Sequence, residues 1–126
     1  GCEYEIVRVH IPREFHHLDA IFVIVSDKTC VACTEALPGE FLQLLRDRSF
    51  EILDVSIEEA RNVGCNVVSL GRDVICSSQR ARKLNERLRA MGFTVLEPCL
   101  DMLHGQGGGP RCLSFPLERE NVFPTS

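Results

Sequence analysis

The stretch Gln106-Gly107-Gly108-Gly109-Pro110-Arg111-Cys112-Leu113-Ser114-Phe115-Pro116-Leu117 joins a run of glycines, a proline and a cysteine at the head of an apolar segment. Successive glycines strip every Cβ from the backbone and Pro110 then fixes φ, so a ligand can approach the main chain closely. A cysteine placed there is a nucleophile if a neighbouring cation lowers the pKa of its thiol. The plainer reading is a flexible loop followed by an inert buried thiol, since free Cys is among the most buried residue types. A second stretch far upstream, Phe15-His16-His17-Leu18-Asp19-Ala20-Ile21-Phe22, holds the groups a reactive cysteine would need. Those groups are a carboxylate and an imidazole, the side chain that changes charge near neutrality.

Together these stretches resemble the guanidino-group modifying superfamily, the penteins, which holds arginine deiminases, dimethylarginine dimethylaminohydrolases and amidinotransferases. The matching pieces are His17-Leu18-Asp19 at the head of an apolar strand, Asn66-Val67-Val68-Ser69-Leu70 in the middle, and Gly107 to Leu117 at the end. Their order and wide spacing carry the resemblance more than any single piece does. It runs over nearly the whole chain but over only the C-terminal half of the family's usual length. It implies Cys112 as nucleophile, His17 as general acid/base and Asp19 as a ligand of the substrate guanidinium. It also implies that a catalytic Glu and further substrate ligands come from the N-terminal half, which this sequence lacks.

The residue types suit that chemistry. A guanidinium is planar, cationic and a poor electrophile. Its hydrolysis needs carboxylates to hold it by charge-assisted hydrogen bonds, a strong nucleophile to attack its carbon, and an acid to protonate the departing amine. His17 and Asp19, two apart, share one face of an extended segment, whereas His16 points away. Arg111 either holds a substrate carboxylate or sits in solvent. Gly108 and Gly109 suit close passage of the substrate, and backbone N–H groups near Cys112 could polarise a tetrahedral intermediate. His104 is a weaker candidate at the entrance. Cys112 is expected within roughly 4–8 Å of His17 and Asp19, because reacting atoms must approach to about 3–3.5 Å with a guanidinium between them. No metal and no organic cofactor is expected.

The 126 residues suit one domain, and 44% hydrophobic with 25% charged residues is an ordinary globular composition. A formal charge of −4 with interspersed signs gives no footprint for nucleic acid or an anionic membrane, and neither partner is expected. No apolar run reaches the length of a membrane span and no signal-peptide pattern opens the chain, so the cytoplasm is the expected compartment. Seven irregularly spaced cysteines argue against a secreted disulfide framework. A start at Gly1 rather than Met reads as a processed or cut polypeptide.

These residues must be positioned by a scaffold, and its pattern repeats. Tyr4 to Ile11 alternates like a strand that Pro12 ends. Ala20 to Val25 is continuously apolar, as in a strand buried on both faces. Ser26-Asp27-Lys28 reads as a turn and Thr29 to Cys33 as a returning strand. Pro38 opens a helix carrying Phe41, Leu42, Leu44 and Leu45, and Phe50 to Leu53 is the next strand. The order then recurs: strand 66–70, turn at Gly71-Arg72-Asp73, strand 74–76, a helix capped at Ser78 with Ala81, Leu84, Leu88 and Met91 on one face, a stop at Gly92, and strand 93–96. A period of about forty-five residues is legible, each unit being ββαβ.

The expected fold is α/β, with about two ββαβ units (18–55 and 65–98) of a pentein-type, five-unit α/β-propeller, a preceding strand, and a final strand over about 111–117. A five-unit ring cannot close within this chain. A missing N-terminal half or a homo-oligomeric partner is expected to cover the open face.

The sequence reads as that of a cysteine-dependent hydrolase of the guanidino group of arginine or a methylated arginine, with amidino transfer to an amine as the alternative on the same intermediate. Two other classes stand beside it. Cys30-Val31-Ala32-Cys33 has the spacing of a dithiol redox motif, although Pro38 puts the helix several residues further on. A non-catalytic assembly piece of a pentein is the third. A zinc site lacks a second Cys-x-x-Cys.

Overall fold

The computed structural model describes residues 4–62, 64–98, 110–111 and 117. Two three-stranded sheets of the same connectivity make up the frame. In the first, β1 (Phe22–Ile24) pairs antiparallel with β2 (Thr29–Ala32), α1 (Gly39–Asp47) crosses over, and β3 (Glu51–Asp54) returns parallel to β2. After a short α2 (Ile57–Arg61), β4 (Val68–Gly71) pairs antiparallel with β5 (Val74–Cys76), α3 (Arg82–Ala90) crosses over, and β6 (Thr94–Leu96) lies parallel to β5. Both sheets join one hydrophobic cluster, in which Ile21, Val31, Val55, Val67, Ile75, Leu84 and Leu88 are fully buried. Each such side chain contributes about 1.5–3 kcal/mol.

Local chemistry explains most of these elements. Pro38 is the N-cap of α1, and Leu42 and Leu45 enter the core one turn apart. Phe41 meets Phe22 of β1 edge to face, ring centroids 5.0 Å apart, which ties the crossover helix to its own sheet. Arg72 and Asp73, with φ of 51° and 59°, make a two-residue hairpin turn of the primed kind between β4 and β5. Gly92, at φ 101°, ends α3 in the left-handed region that glycine tolerates best. Among the described residues, no helix is long and apolar enough to cross a membrane.

Several sequence expectations are corrected. Residues 4–11 form no strand: Tyr4 and Ile6 are exposed, only Val9 and Ile11 rest against the core, and no strand of the described residues pairs with them. Alternation can make a strand only where a partner supplies the ladder. Nor is β1 buried on both faces, since Ile24 is 49% exposed while Val23 is buried. The continuous apolar run hides an ordinary one-sided strand with Ile21, Val23 and Val25 inward. The N-cap of α3 is Ala81 rather than Ser78, whose hydroxyl instead accepts from Arg80 N at 3.1 Å. Asn85 stands fully buried on the apolar face of α3, donating from Nδ2 to Ser78 O (2.9 Å) and to Glu97 Oε1 (2.7 Å). Glu97 also accepts from Arg89, and that guanidinium is the chief cause holding its carboxyl below the usual range.

Gly64 follows α2, and its N–H donates to Glu59 O at 2.8 Å. A Cβ there would lie 2.6 Å from that same carbonyl oxygen, a backbone atom that cannot swing away. Gly64→Ala is therefore expected to destabilise the fold by roughly 1–3 kcal/mol. A lowered melting temperature in thermal unfolding checks this, and an unchanged one would mean that the α2 terminus relaxes freely.

Candidate functional site

Phe15 and Ile21, both buried, bracket the segment that carries His17 and Asp19. Phe15 N donates to Pro12 O at 3.0 Å, and Cys33 N donates to Ile21 O at 2.8 Å, fastening the segment to the end of β2. Between these anchors Leu18–Ala20 winds into a 3-10 turn with His17 as its N-cap. Ala20 N bonds to His17 O (3.2 Å) and Ile21 N to Leu18 O (2.9 Å). The segment is thus not extended through Asp19, and strand alternation does not relate His17 to Asp19. Their relation is set by the turn, which leaves His16 and His17 exposed and Asp19 half-buried.

Asn66, immediately before β4, reaches this turn. It is only 2% exposed, and its Nδ2 donates to the main-chain oxygen of Asp19 at 3.4 Å. Its own carbonyl accepts from Arg111 N, also at 3.4 Å, and Arg111 Nε lies 3.8 Å from Asp19 Oδ2. Both hydrogen bonds are longer than the usual N–H···O range, and the ion pair is longer still. With side chains 44% and 27% exposed, Arg111 and Asp19 gain little from each other, about 0–1 kcal/mol. What the contacts do is gather three distant parts of the chain at one point. Arg111 stands in a turn with the buried Pro110, not in a strand. Cys112, Gly108, Gly109 and His104 lie outside the described residues, as does most of the expected final strand.

In the sequence Asn66 figures as the first residue of a strand and of the Asn66–Leu70 stretch that carries the family resemblance, not as a site residue. The available signal was an amide between two apolar residues, Cys65 and Val67, since a buried amide needs partners. A cleft of about 300 Å³ elsewhere, between Glu58 and Glu59 on one side and Arg80, Arg82 and Lys83 on the other, is lined by none of the candidate residues.

The Cys-x-x-Cys pair fares differently. Cys30 lies within β2 rather than at a helix start, and both thiols are fully buried. Burial pushes Cys30 up to about 11 and raises Cys33 as well, with Asp54 and Glu35 adding to the latter. A dithiol redox centre needs the opposite setting, partly exposed and electropositive.

Comparison with known proteins places this arrangement. The family model described as "N,N dimethylarginine dimethylhydrolase, eukaryotic" matches residues 1–119. The chain belongs to this family, within the pentein superfamily. The uncharacterised protein YkgA of Bacillus subtilis is 32% identical over 93% of this chain and 41% of its own length. An arginine deiminase of Listeria welshimeri is 29% identical over 94% of this chain and 38% of its own. Among solved structures, the product-bound N-terminal domain of ArgZ, a cyanobacterial arginine dihydrolase, superposes with a TM-score of 0.74 at 28% identity, covering 86% of this chain and 41% of that domain. The chain thus spans about two fifths of the length of these relatives. The mixed α/β frame of two like sheets is a pentein-type fold.

Proposed function

We propose that this pentein segment carries the nucleophile and proton carrier of a cysteine-dependent hydrolase acting on the guanidino group of arginine or a methylated arginine. The observation that supports this most is the approach of Arg111, the residue before Cys112, to Asp19 and Asn66. It brings Arg111, which stands between the glycine run and Cys112 in the sequence, to the turn of His17 and Asp19, as a two-stretch active site requires. The names of the relatives, arginine deiminase and arginine dihydrolase, agree with it.

In this reading Asp19 holds the substrate guanidinium, with Arg111, Gly108 and Gly109 lining its place. The Cys112 thiolate attacks the central carbon, forming an S–C bond. The C–N bond to the departing ammonia or alkylamine breaks as His17 protonates the nitrogen. Water then gives a proton to the neutral imidazole and attacks the amidino-thio carbon. The S–C bond breaks, regenerating thiolate, and the hydroxyl proton of the adduct passes through solvent to the released amine, so that the ureido product leaves neutral. Two transfers of one proton through His17 balance the cycle. Upstream sequence supplies the remaining acidic groups.

The test is competitive thiol labelling of the complete enzyme with chloroacetamidine. Its amidinium mimics the substrate cation, so Cys112 is expected to be alkylated first and to be protected by arginine or a methylated arginine. Peptide mapping that finds Cys30 or Cys33 labelled first would overturn the assignment.

A further inference from the structure

We propose that Asn66 is a positioning residue for this reaction, holding the Asp19 turn and Arg111, the residue before Cys112, in register with each other; the inference rests on the hydrolase reading above. Asn66 sits between two fully buried apolar residues, Cys65 and Val67, where an aliphatic side chain would pack without any polar cost. Its amide instead donates to the carbonyl of Asp19, and its main-chain oxygen receives the N–H of Arg111. One bond fixes the backbone from which the guanidinium ligand projects. The other fixes the peptide next to the nucleophile. The two stretches are far apart in sequence, so their relative placement depends on what lies between them, and Asn66 touches both.

A displacement of about 1 Å in such a pair costs on the order of 10²-fold in rate, because attack requires a narrow range of approach. In this scheme Asn66 acts through Asp19 and the residue before Cys112.

The experiment uses the complete enzyme with Asn66→Ala and Asn66→Asp. Active sites are counted by stoichiometric alkylation of Cys112 with chloroacetamidine, and kcat is expressed per titrated site. Asn66→Ala is expected to keep most of its sites while kcat per site falls roughly 10–100-fold. Asn66→Asp has the same shape but lacks the donor when ionised, and its burial raises the carboxyl pKa. Its rate relative to wild type is therefore expected to rise on acidification, as the protonated acid regains a donor toward the Asp19 carbonyl, while the Asn66→Ala ratio stays flat. A purely structural role predicts fewer sites, each turning over at the wild-type rate, and that result would overturn the inference. If Asn66→Ala does not fold, the pH response of Asn66→Asp decides: a flat ratio sinks the proposal. A wild-type enzyme with no turnover of any guanidino substrate overturns the hydrolase reading itself, an outcome separate from an active enzyme indifferent to Asn66.

Discussion

Cys112→Ser is expected to abolish turnover in the complete enzyme, a loss of roughly 10⁴–10⁶-fold, while leaving substrate affinity within a few-fold of wild type. The asymmetry follows from what each group does in the proposed cycle. Resonance makes the guanidinium carbon a poor electrophile, so only a strong nucleophile reaches the tetrahedral adduct, and an unassisted hydroxyl at neutral pH is a weak one. Holding the cation is the work of carboxylates such as Asp19, which Cys112→Ser leaves in place. Acid-quench mass spectrometry should find an adduct heavier than the protein by the substrate's amidino portion in wild type and none in the variant. Calorimetric titration of the variant with arginine or a methylated arginine should still show binding. Turnover by Cys112→Ser within tenfold of wild type would mean that the nucleophile is elsewhere.

How much of this could be read from sequence depended on whether each feature was set locally. The two sheets were legible because their signals are short-range: Pro38 before an apolar helical stripe, the turn at Gly71-Arg72-Asp73, and Phe50 and Phe93 at like positions before returning strands. The features that were missed depend on partners far away in sequence. Residues 4–11 alternate as a strand does, but among the described residues no second strand answers them. The 3-10 turn at Leu18–Ala20 is one turn long, too short for any periodicity to reveal. Helix α2 is a different case, because its capping box was present in the sequence. Ser56 and Glu59 satisfy each other's backbone N–H groups, Glu59 N to Ser56 Oγ at 3.1 Å and Ser56 N to Glu59 Oε2 at 2.8 Å. The helix has five residues, fewer than an apolar stripe needs to show itself.

The candidate site divides along the same line. His17, Asp19 and Arg111 were named from residue types and family resemblance, and Asp19 and Arg111 do meet. The geometric argument that linked His17 to Asp19 was wrong, since a turn rather than a strand carries them. Asn66 was named in the stretch that carries the family resemblance but not as a site residue, because an amide between Cys65 and Val67 carries no chemistry of its own. Its significance lies in two bonds to residues distant in the chain, which no local pattern encodes.

His17→Ala is expected to slow formation of the covalent adduct by about 10²–10⁴-fold, the usual contribution of a positioned proton donor, and to do so in a manner that depends on the leaving group. His17 caps a turn held at both ends by the buried Phe15 and Ile21, and its own side chain is exposed, so its removal leaves no cavity and should barely alter thermal stability. The chemical loss falls on C–N cleavage. Ammonia and alkylamines depart from the tetrahedral adduct only after protonation, whereas the thiolate of an S-alkyl isothioureido analogue leaves without a proton. In single-turnover experiments stopped by acid, adduct formation from the guanidino substrate should therefore collapse in His17→Ala, and adduct formation from the isothioureido analogue should stay within about tenfold of wild type, the part of the effect that does not involve leaving-group protonation. Equal losses with both substrates would show that His17 holds the substrate or activates the thiol rather than protonating the amine. His16→Ala is the internal control: His16 lies just before the cap on the same exposed stretch, and its removal should leave both rates unchanged. If His16→Ala instead reproduces the leaving-group pattern, the proton carrier is the neighbouring imidazole, and the 3-10 turn rather than strand alternation has chosen it.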